Sequence, residues 1–362
     1  MNEPAKKIRV LLVDDSAVLR SLLRIALATC PEVDLVGVGA DGIEGLEAIE
    51  RLRPDLVLLD IEMPRMNGLE VLVQVQARHR QIKVIMCSTL TRRGAAITLE
   101  ALAQGAADYV TKPASQNGVR EGVETLCREL LPRIRALFPD FESKAGTKFL
   151  QQARSIVPRS RISAPRPEIV VIGVSTGGPA ALERVLAPLP PNFPLPVLIV
   201  QHMPPLFTTL LAERLDGLCG IPVREAASGE VVQPGHVYLA RGDWHMQLIG
   251  TPARCVLRLT QAAYEQSCRP SVDVLFRSAA AVFGSKVFAV VLTGMGSDGL
   301  NGCRAIHAAG GRILAQDRET SAVWGMPGAV AEARLAEQLL PPEALAEEIM
   351  RSATGFPSRK HA

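Results

Sequence analysis

Charged and hydroxyl side chains stand at the ends of four apolar runs in the first third of the sequence. Asp14 and Asp15 follow the first run, and Asp60 ends the third. Ser88 and Lys112 end the two runs after it. Carboxylates gathered at one sheet edge repel each other, and Mg²⁺ relieves such repulsion. A hydroxyl and an ammonium facing that cluster would stabilise a phosphoryl group, so the pattern predicts phosphorylation of Asp60.

A serine in a glycine-rich segment is a second centre of possible chemistry. Ser175 lies within Gly173–Gly178, between a buried-strand pattern and a helix that begins with a proline. The segment fits G-x-S-x-G, a sharp strand-to-helix turn that exposes a serine hydroxyl, and the N–H groups that begin the helix suit an oxyanion. A glycine-rich loop could instead cradle a nucleotide phosphate, although no Walker lysine follows and no acidic residue is clearly placed for a ribose.

A serine nucleophile needs a base, and the base needs a carboxylate that orients it. His202 follows the apolar strand pattern Val197–Val200, and Asp298 follows the pattern Val287–Leu292. Both therefore belong at the carboxyl ends of strands, as Ser175 does. Each has a plainer alternative, because a single histidine is often structural and Asp298 could simply cap the next helix. Together the three residues predict a Ser-His-Asp hydrolytic site.

The order of apolar runs shows how the acidic centre would be assembled. Short buried-strand runs alternate with stretches of helical spacing, which predicts right-handed crossovers and a five-stranded parallel sheet. The predicted strands are Ile8–Asp14, Leu35–Val38, Leu56–Asp60, Lys83–Ser88 and Tyr109–Thr111. The predicted helices are Ala17–Ala28, Ile43–Leu52, Leu69–Ala77, Ala95–Gln104 and Gly118–Leu131.

Prolines and arginines interrupt the alternation, which predicts an interdomain linker over residues 132–166 with a short helix near Glu142–Arg154. The linker would separate a first domain over residues 1–131 from a second over 167–355, with a tail over 356–362. In the second domain we predict a doubly wound, mainly parallel α/β fold with a β-hairpin over Pro234–Met246. Its predicted strands are Ile169–Val174, Val197–Gln201, Val237–Ala240, Cys255–Leu259 and Val287–Leu292. Its predicted helices are Pro179–Leu186 and Gly302–Ala309.

Composition narrows the class of protein. The 362 residues are 48% hydrophobic and 4% aromatic, which suits aliphatic cores around parallel sheets. A net charge of +3 gives no strong basic field for nucleic acid. The seven cysteines form no CxxC or Cys/His cluster, so neither a zinc site nor a disulfide framework is predicted. Without a long apolar run or a signal-peptide pattern, we expect a cytoplasmic location and no membrane insertion.

The first domain resembles the response-regulator receiver domain over about residues 7–130. The segments that match are Val13–Ser16, Leu59–Pro64 and Thr111–Pro113. The resemblance implies a flavodoxin-like strand order and Asp60 as the phosphoacceptor.

The same resemblance assigns roles around Asp60. It implies Mg²⁺ for phosphorylation, held by Asp14, Asp15, Asp60 and the backbone carbonyl of Glu62. Ser88 and Lys112 would bind the phosphoryl group. Tyr109 falls where receivers carry a switch aromatic, and an ordinary strand residue is the alternative.

The second domain resembles the chemotaxis protein-glutamate methylesterase family, CheB, over about residues 167–355. Ser175, His202 and Asp298 match its catalytic triad. Cys268 is a departure, since the family is expected to have histidine before Arg269-Pro270-Ser271. The matching segments are Ile172–Pro179, Gln201–Pro204, Pro234–His245, Arg269–Phe276 and Leu292–Gly299.

The family implies a substrate and partners. Glutamyl methyl esters on chemoreceptor cytoplasmic helices would be hydrolysed, and certain receptor glutamines deamidated, through an acyl-enzyme without a cofactor in this domain. The N–H groups of Thr176 and Met295 would bind the oxyanion. A chemotaxis histidine kinase would supply the phosphoryl group, the enzyme would be recruited to receptor arrays, and its activity would serve adaptation. An adaptor without turnover and a DNA-binding regulator are the alternatives, although no basic recognition helix stands out.

Overall fold

The computed structural model describes residues 7–113, 118–141 and 165–354, which divide into two compact units. The helix predicted near Glu142–Arg154 and the tail over 356–362 lie outside the described residues, as does much of the predicted linker. Within the described ranges, no helix combines the length and apolar character needed to cross a bilayer. The predicted domain boundaries stay predictions.

The N-terminal unit is a parallel sheet in the order β2-β1-β3-β4-β5, covered by helices. This is the flavodoxin-like order, and the predicted fold is confirmed. The strands are β1 (Ile8–Val13), β2 (Val33–Gly39), β3 (Leu56–Asp60), β4 (Lys83–Ser88) and β5 (Asp108–Thr111). The helices are α1 (Ala17–Ala28), α2 (Gly42–Leu52), α3 (Gly68–Arg78), α4 (Arg92–Ala103) and α5 (Val119–Leu137).

Side-chain caps determine where the first helices begin. Ser16, Asp41 and Asn67 precede α1, α2 and α3, and each side chain accepts a hydrogen bond from a backbone N–H of the first turn. Ser16 directly follows Asp14 and Asp15, so this cap closes the turn that presents both carboxylates at the sheet edge.

Helix α5 extends further than the sequence predicted. It was expected to end at Leu131, yet it continues through Pro132 to Leu137. A proline inside a helix removes one hydrogen bond and crowds the preceding turn. The apolar stripe nevertheless continues past it, and Ile134 and Leu137 are buried. Burial of that stripe offsets the local cost of the proline.

The C-terminal unit is a seven-stranded parallel sheet in the order β14-β13-β12-β6-β7-β9-β8, with an antiparallel pair, β10-β11, beside it. The predicted α/β class with a hairpin is confirmed. The strands are β6 (Ile169–Val174), β7 (Val197–Gln201), β8 (Val223–Glu225), β9 (Val237–Leu239), β10 (His245–Thr251), β11 (Arg254–Thr260), β12 (Val287–Val291), β13 (Arg312–Gln316) and β14 (Gln338–Leu340). The helices are α6 (Gly178–Leu186), α7 (Pro205–Leu218), α8 (Val272–Phe283), α9 (Leu300–Ala308), α10 (Met326–Glu332) and α11 (Pro342–Thr354).

The strand order reverses at β6. The chain winds outward from β6 to β7 on one side and later returns to place β12 on the other side. All residues of these three strands are buried, as parallel strands covered on both faces require. Such a reversal leaves a crevice beyond the carboxyl ends of the central strands, where ligands bind in this class of sheet.

The hairpin lies elsewhere than predicted. Residues 237–239, expected in the first arm of the hairpin, form β9 and pair in parallel with β7 and β8. The antiparallel pair is instead β10 with β11, joined at a turn beside Gly250. The glycines at 235 and 242 do mark turns, but the sequence alone did not show that an intervening strand of three residues joins the main sheet.

Several elements were not assigned from the sequence, namely β8, β10, α7, α8, β13, α10, β14 and α11. Helix α8 illustrates the reason. Its sequence is mostly apolar, and a mostly apolar run does not by itself distinguish a strand from a buried helix.

Gly242 lies where a side chain does not fit. A substitution at this position therefore tests how tightly the C-terminal unit is packed there. A β-carbon there would overlap the backbone of Pro204 and Pro205, which lead from β7 into α7. We expect Gly242→Ala to destabilise the C-terminal unit by about 1–3 kcal/mol. Gly217→Ala is the matched control, because open space surrounds Gly217 on α7. Calorimetry should show a lower unfolding temperature only for the first variant. Equal unfolding temperatures would contradict the expected overlap.

Candidate active site

Ser175 stands at the turn between β6 and α6. Its N–H donates to the carbonyl of Thr293 at 3.0 Å, and its own carbonyl accepts from Gly178 at 2.8 Å. Gly177 has a φ of +76°, a left-handed conformation that glycine adopts without strain. The buried side chain of Gln201 donates from Nε2 to the Ser175 carbonyl at 3.0 Å. The turn is therefore held from both sides, with Ser175 half-buried.

His202 is the neighbour of Ser175 across the sheet edge. Val174 and Gln201 are paired in the register of β6 and β7, so the two next residues emerge side by side. The N–H of His202 donates to the Val174 carbonyl at 3.3 Å, which extends the pairing by one residue. Parallel pairing alone thus brings the predicted nucleophile next to the predicted base.

Asp298 reaches the same place from the loop after β12. Its Oδ2 accepts from Nε2 of His202 at 2.8 Å and from the N–H of Val272 at 2.7 Å. Its Oδ1 accepts from the Ser271 hydroxyl and from the N–H groups of Asp273 and Gly299, at 2.9, 3.0 and 2.9 Å. The carboxylate is thus held at the N-terminus of α8, where helix N–H groups stabilise negative charge.

This pairing shifts the pKa of both groups. Burial lowers the pKa of His202, but its contacts with Asp298 and with the sulfur of Cys268 outweigh burial and raise it to about 10. Burial raises the pKa of Asp298, but His202 and the backbone N–H groups outweigh it, so this pKa lies below its usual value. The stability that protonated His202 contributes is therefore present at neutral pH and lost as pH rises through about 10. The stability that ionised Asp298 contributes is lost as pH falls through its lowered pKa.

The Ser175 hydroxyl is not bonded to the base in this state. Within the described ranges no hydrogen bond joins Ser175 Oγ to His202. Because Asp298 takes Nε2, the nitrogen left to accept a proton is Nδ1. Catalytic hydrogen bonds are often incomplete until substrate binds, so this geometry is compatible with a nucleophile and base.

The predicted oxyanion groups lie on both sides of Ser175. Thr176 follows it at the start of the turn, and its carbonyl accepts from the Thr293 hydroxyl at 2.9 Å. Met295 follows Gly294, which packs against Ser175 so closely that a β-carbon there would lie 2.7 Å from the serine β-carbon. Both backbones therefore approach the serine, and their N–H role stays a prediction.

Several residues of the site were missed from the sequence. Ser271 and Asp273 flank the start of α8, and the buried Asp273 carboxylate accepts from the N–H of Gly302 and the side chain of Gln266. His245 is buried, accepts from the N–H of Ser271 at 3.2 Å, and lies 3.0 Å from the carbonyl of Ala263 through its other nitrogen. A serine and an aspartate just before an apolar run were the available signal, since these residues often begin helices.

Cys268 contacts the second nitrogen of the base. Its Sγ lies 3.8 Å from Nδ1 of His202. The ligand atoms of His202, Cys268 and Asp298 lie within 4.8 Å of one another. They do not converge on one point, because the sulfur faces Nδ1 while the carboxylate faces Nε2 and is occupied by N–H donors. The arrangement therefore suits proton transfer better than metal binding.

The acidic residues of the N-terminal unit also converge. Carboxylate oxygens of Asp14, Asp15 and Asp60 lie within 4.8 Å of one another. Lys112 Nζ lies 2.6 Å from Asp60 Oδ1 and 3.1 Å from Asp14 Oδ2. Burial raises the pKa of Asp60 to about 6, with a contribution from Asp14 and against the effect of Lys112. The side chains predicted from three strand ends thus meet in one cluster.

The other predicted receiver residues lie at or beside this edge. Ser88 is buried, and its hydroxyl accepts from that of Thr98 at 2.6 Å. The N–H of Glu62 donates to Asp60 Oδ1 at 3.4 Å, so its backbone approaches the cluster. Tyr109 is buried, and burial raises its pKa. Their roles in phosphate binding, metal binding and switching stay predictions.

The acidic cluster fits a hard divalent cation. Oδ2 of Asp60 is buried and has no hydrogen-bond partner among the described residues. Carboxylate oxygens of this kind are the ligands that Mg²⁺ prefers. Asp14, Asp15 and Asp60 would hold the ion, which would neutralise charge that Lys112 alone leaves uncompensated.

Comparison with known families matches each of the two units. A family model described as CheB methylesterase matches residues 170–349, and one described as response regulator receiver domain matches residues 10–124. Proteins named protein-glutamate methylesterase/protein-glutamine glutaminase are similar over nearly the whole chain. That of Trichodesmium erythraeum is 43% identical over 95% of this chain and 99% of its own, and that of a Nocardioides species is 47% identical over 95% of each.

A solved structure is similar to the C-terminal unit. The crystal structure of the Thermotoga maritima CheB methylesterase catalytic domain is 43% identical in sequence and superposes with a TM-score of 0.50. It covers 51% of this chain and 98% of that domain.

The Asp298–His202 hydrogen bond gives a test of the site. In Asp298→Asn the imidazole loses its anionic partner, so we expect ester hydrolysis to fall by about 10²–10⁴-fold. Only neutral His202 can accept a proton, so kcat/KM should rise with pH in the natural protein. The variant should reach half its maximum at a lower pH, because the His202 pKa falls without the carboxylate. The measurement is kcat/KM for a simple ester from neutral pH to about pH 10. An unchanged profile would contradict this account.

Proposed function

The chain belongs to the CheB methylesterase family, with a response-regulator receiver domain before its hydrolase domain, and we propose that it demethylates glutamyl methyl esters of chemoreceptors. We also propose that it deamidates specific receptor glutamines. The two reactions are acyl transfers to water that differ only in the leaving group, methanol or ammonia. One serine hydrolase site can therefore serve both.

One observation carries this proposal. Ser175 and His202 emerge side by side from paired strands, and Asp298 binds His202 at 2.8 Å from the third strand end. A nucleophile, a base and an orienting carboxylate in this relation are the parts of an acyl-transfer site. A helix N-terminus that merely bound phosphate would not require the histidine or the carboxylate.

The His202–Asp298 hydrogen bond supports a proposed route for the proton. Ser175 Oγ attacks the side-chain carbonyl of the substrate, and His202 takes the serine proton on Nδ1, since Asp298 holds Nε2. The N–H groups of Thr176 and Met295 stabilise the oxyanion. His202 then passes the proton to the departing methoxide oxygen or amide nitrogen, which leaves as methanol or ammonia. Water hydrolyses the acyl-enzyme by the same path in reverse.

Replacing the nucleophile tests the hydrolase. We expect Ser175→Ala to abolish methanol release from methylated receptor while the unfolding temperature stays the same, because no side-chain hydrogen bond of Ser175 supports the described fold. Ser285→Ala is the control, since Ser285 precedes β12 at the opposite end of the sheet. The control should release methanol like the natural chain.

The same variants separate an enzyme from an adaptor. An adaptor that binds receptors without turnover would release no methanol in any variant. A serine-directed fluorophosphonate probe should label the natural chain and Ser285→Ala but not Ser175→Ala. Methanol release at the natural rate from Ser175→Ala would refute the assignment.

Regulation follows from the acidic cluster. We propose that a chemotaxis histidine kinase transfers a phosphoryl group to Asp60. Lys112 and Ser88 would bind the phosphoryl oxygens, and Tyr109 would act as the switch aromatic. Mg²⁺ held by Asp14, Asp15, Asp60 and the Glu62 carbonyl would neutralise charge on the phosphoryl oxygens. Phosphorylation adds about 1.5–2 negative charges at a buried edge, enough to alter packing there. Phosphorylation of Asp60 would raise the activity of the hydrolase. We further propose that the enzyme is recruited to receptor arrays in the cell, where its activity serves adaptation.

A phosphodonor tests this regulation. We expect acetyl phosphate with Mg²⁺ to raise methanol release by the full-length chain, and Asp60→Asn to remove the response, because the amide cannot accept a phosphoryl group. Omitting Mg²⁺ should have the same effect as the substitution. Equal rates with and without phosphodonor in the natural chain would contradict regulation through Asp60.

A further inference from the structure

The cysteines of the chain differ in their surroundings. Three are half-buried, namely Cys127, Cys219 and Cys268, and the other four are buried. Burial, with the charges of Glu183 and Asp216, raises the pKa of Cys219 to about 11, which favours its unreactive thiol form. Cys127 contacts the hydroxyl of Thr29. Among the described residues, Cys268 is the only cysteine that contacts an imidazole, and that imidazole is the proposed catalytic base.

The backbone holds Cys268 in this position. Its N–H and carbonyl both bond to Glu265, at 2.8 and 3.1 Å, around a tight turn in which Gln266 and Ser267 are left-handed. The next residue, Arg269, binds Asp243 through two nitrogens at 2.9 and 2.6 Å. With the backbone held in this way, the sulfur lies 3.8 Å from Nδ1 of His202 and 3.4 Å from the carbonyl oxygen of Gln266.

We propose that Cys268 is a reactive thiol paired with His202, and that its modification by small soft electrophiles, hydroperoxides included, stops the hydrolase. Two features support this. A thiol beside a histidine that is itself oriented by a carboxylate has the arrangement that activates cysteine nucleophiles. Half-burial leaves room for a small reagent. The loss of hydrolysis, but not the thiol chemistry, rests on the proposed function.

The reaction with a hydroperoxide is balanced. Cys268 gives its proton to Nδ1 of His202, and the thiolate attacks one peroxide oxygen. The S–O bond forms as the O–O bond breaks, so sulfur is oxidised by two electrons and the peroxide is reduced. The departing hydroxide (an alkoxide when the reagent is an organic hydroperoxide) takes the proton from His202 and leaves as water (or as an alcohol), and Cys268 becomes a sulfenic acid. A sulfenic acid is reversible by added thiol.

The consequence for hydrolysis follows from the shared nitrogen. Nδ1 is the position to which Ser175 must pass its proton, because Asp298 occupies Nε2. The unmodified thiol already lies 3.8 Å from it. An oxygen or an alkyl group added to that sulfur lies against Nδ1 and excludes the serine hydroxyl. Oxidation and ester hydrolysis therefore compete for one base.

Thiol reactivity is tested on the full-length chain with limiting iodoacetamide and peptide mass spectrometry. We expect Cys268 to be alkylated at least about tenfold faster than Cys127 or Cys219, as activation by an imidazole implies. His202→Ala and His202→Gln should each slow Cys268 to the rate of the other two. Unchanged rates at Cys127 and Cys219 show that these variants are folded. Equal rates at all three cysteines in the natural chain would overturn the proposal.

Inhibition is tested with hydrogen peroxide, each variant being compared with its own untreated activity. The natural chain and Cys219→Ser should lose ester hydrolysis and recover it with dithiothreitol, whereas Cys268→Ser should keep its activity throughout. Full activity in natural protein modified at Cys268 would refute the inference. Failure of the proposed function is distinguishable, since untreated protein would then neither hydrolyse ester nor react at Ser175 with the serine-directed probe.

Discussion

The arrangement of the candidate active site depends on the hydrogen bonds of the buried Asp298 carboxylate. One oxygen orients His202, and both receive N–H groups from the start of α8, so a single side chain joins the loop after β12, the base after β7 and a helix that packs on β6. A buried carboxylate is costly unless its oxygens are bonded. Here the donors that compensate the charge also determine where the helix begins, so catalysis and local folding share one constraint.

The topology of the sheet makes this interaction possible. Reversal of the strand order at β6 leaves β7 and β12 as its two neighbours, and the three residues of the site follow these three strands. Rigid buried strands set the spacing, and only the turns after them carry chemistry. The acidic cluster is assembled in the same way, because Asp60 ends β3 and Lys112 follows β5 in the other sheet. Function in both units therefore depends on the residues at a strand end or just beyond it.

The two centres differ in how charge is balanced. In the receiver unit Lys112 faces a surplus of carboxylates, which leaves room for a cation and then for a phosphoryl group. In the hydrolase unit the single carboxylate of Asp298 is matched by hydrogen-bond donors. Nδ1 of His202 is then the nitrogen that remains available to exchange a proton. Cys268, where the family is expected to have histidine, thus lies against the same nitrogen that is proposed to take the serine proton.

The sequence by itself determined the strand-end pattern and the α/β class of both units, and it identified the residues proposed for the triad and the acidic cluster, because each of these follows from local spacing along one strand or turn. It did not place the hairpin, because a three-residue strand joins a sheet only through non-local pairing. It did not extend α5 past Pro132, because burial outweighed a local penalty. Nor did it show that Asp298 is held by Ser271 and the start of α8, or that Cys268 faces His202. Those contacts join residues far apart in the chain, and only the tertiary structure decided them.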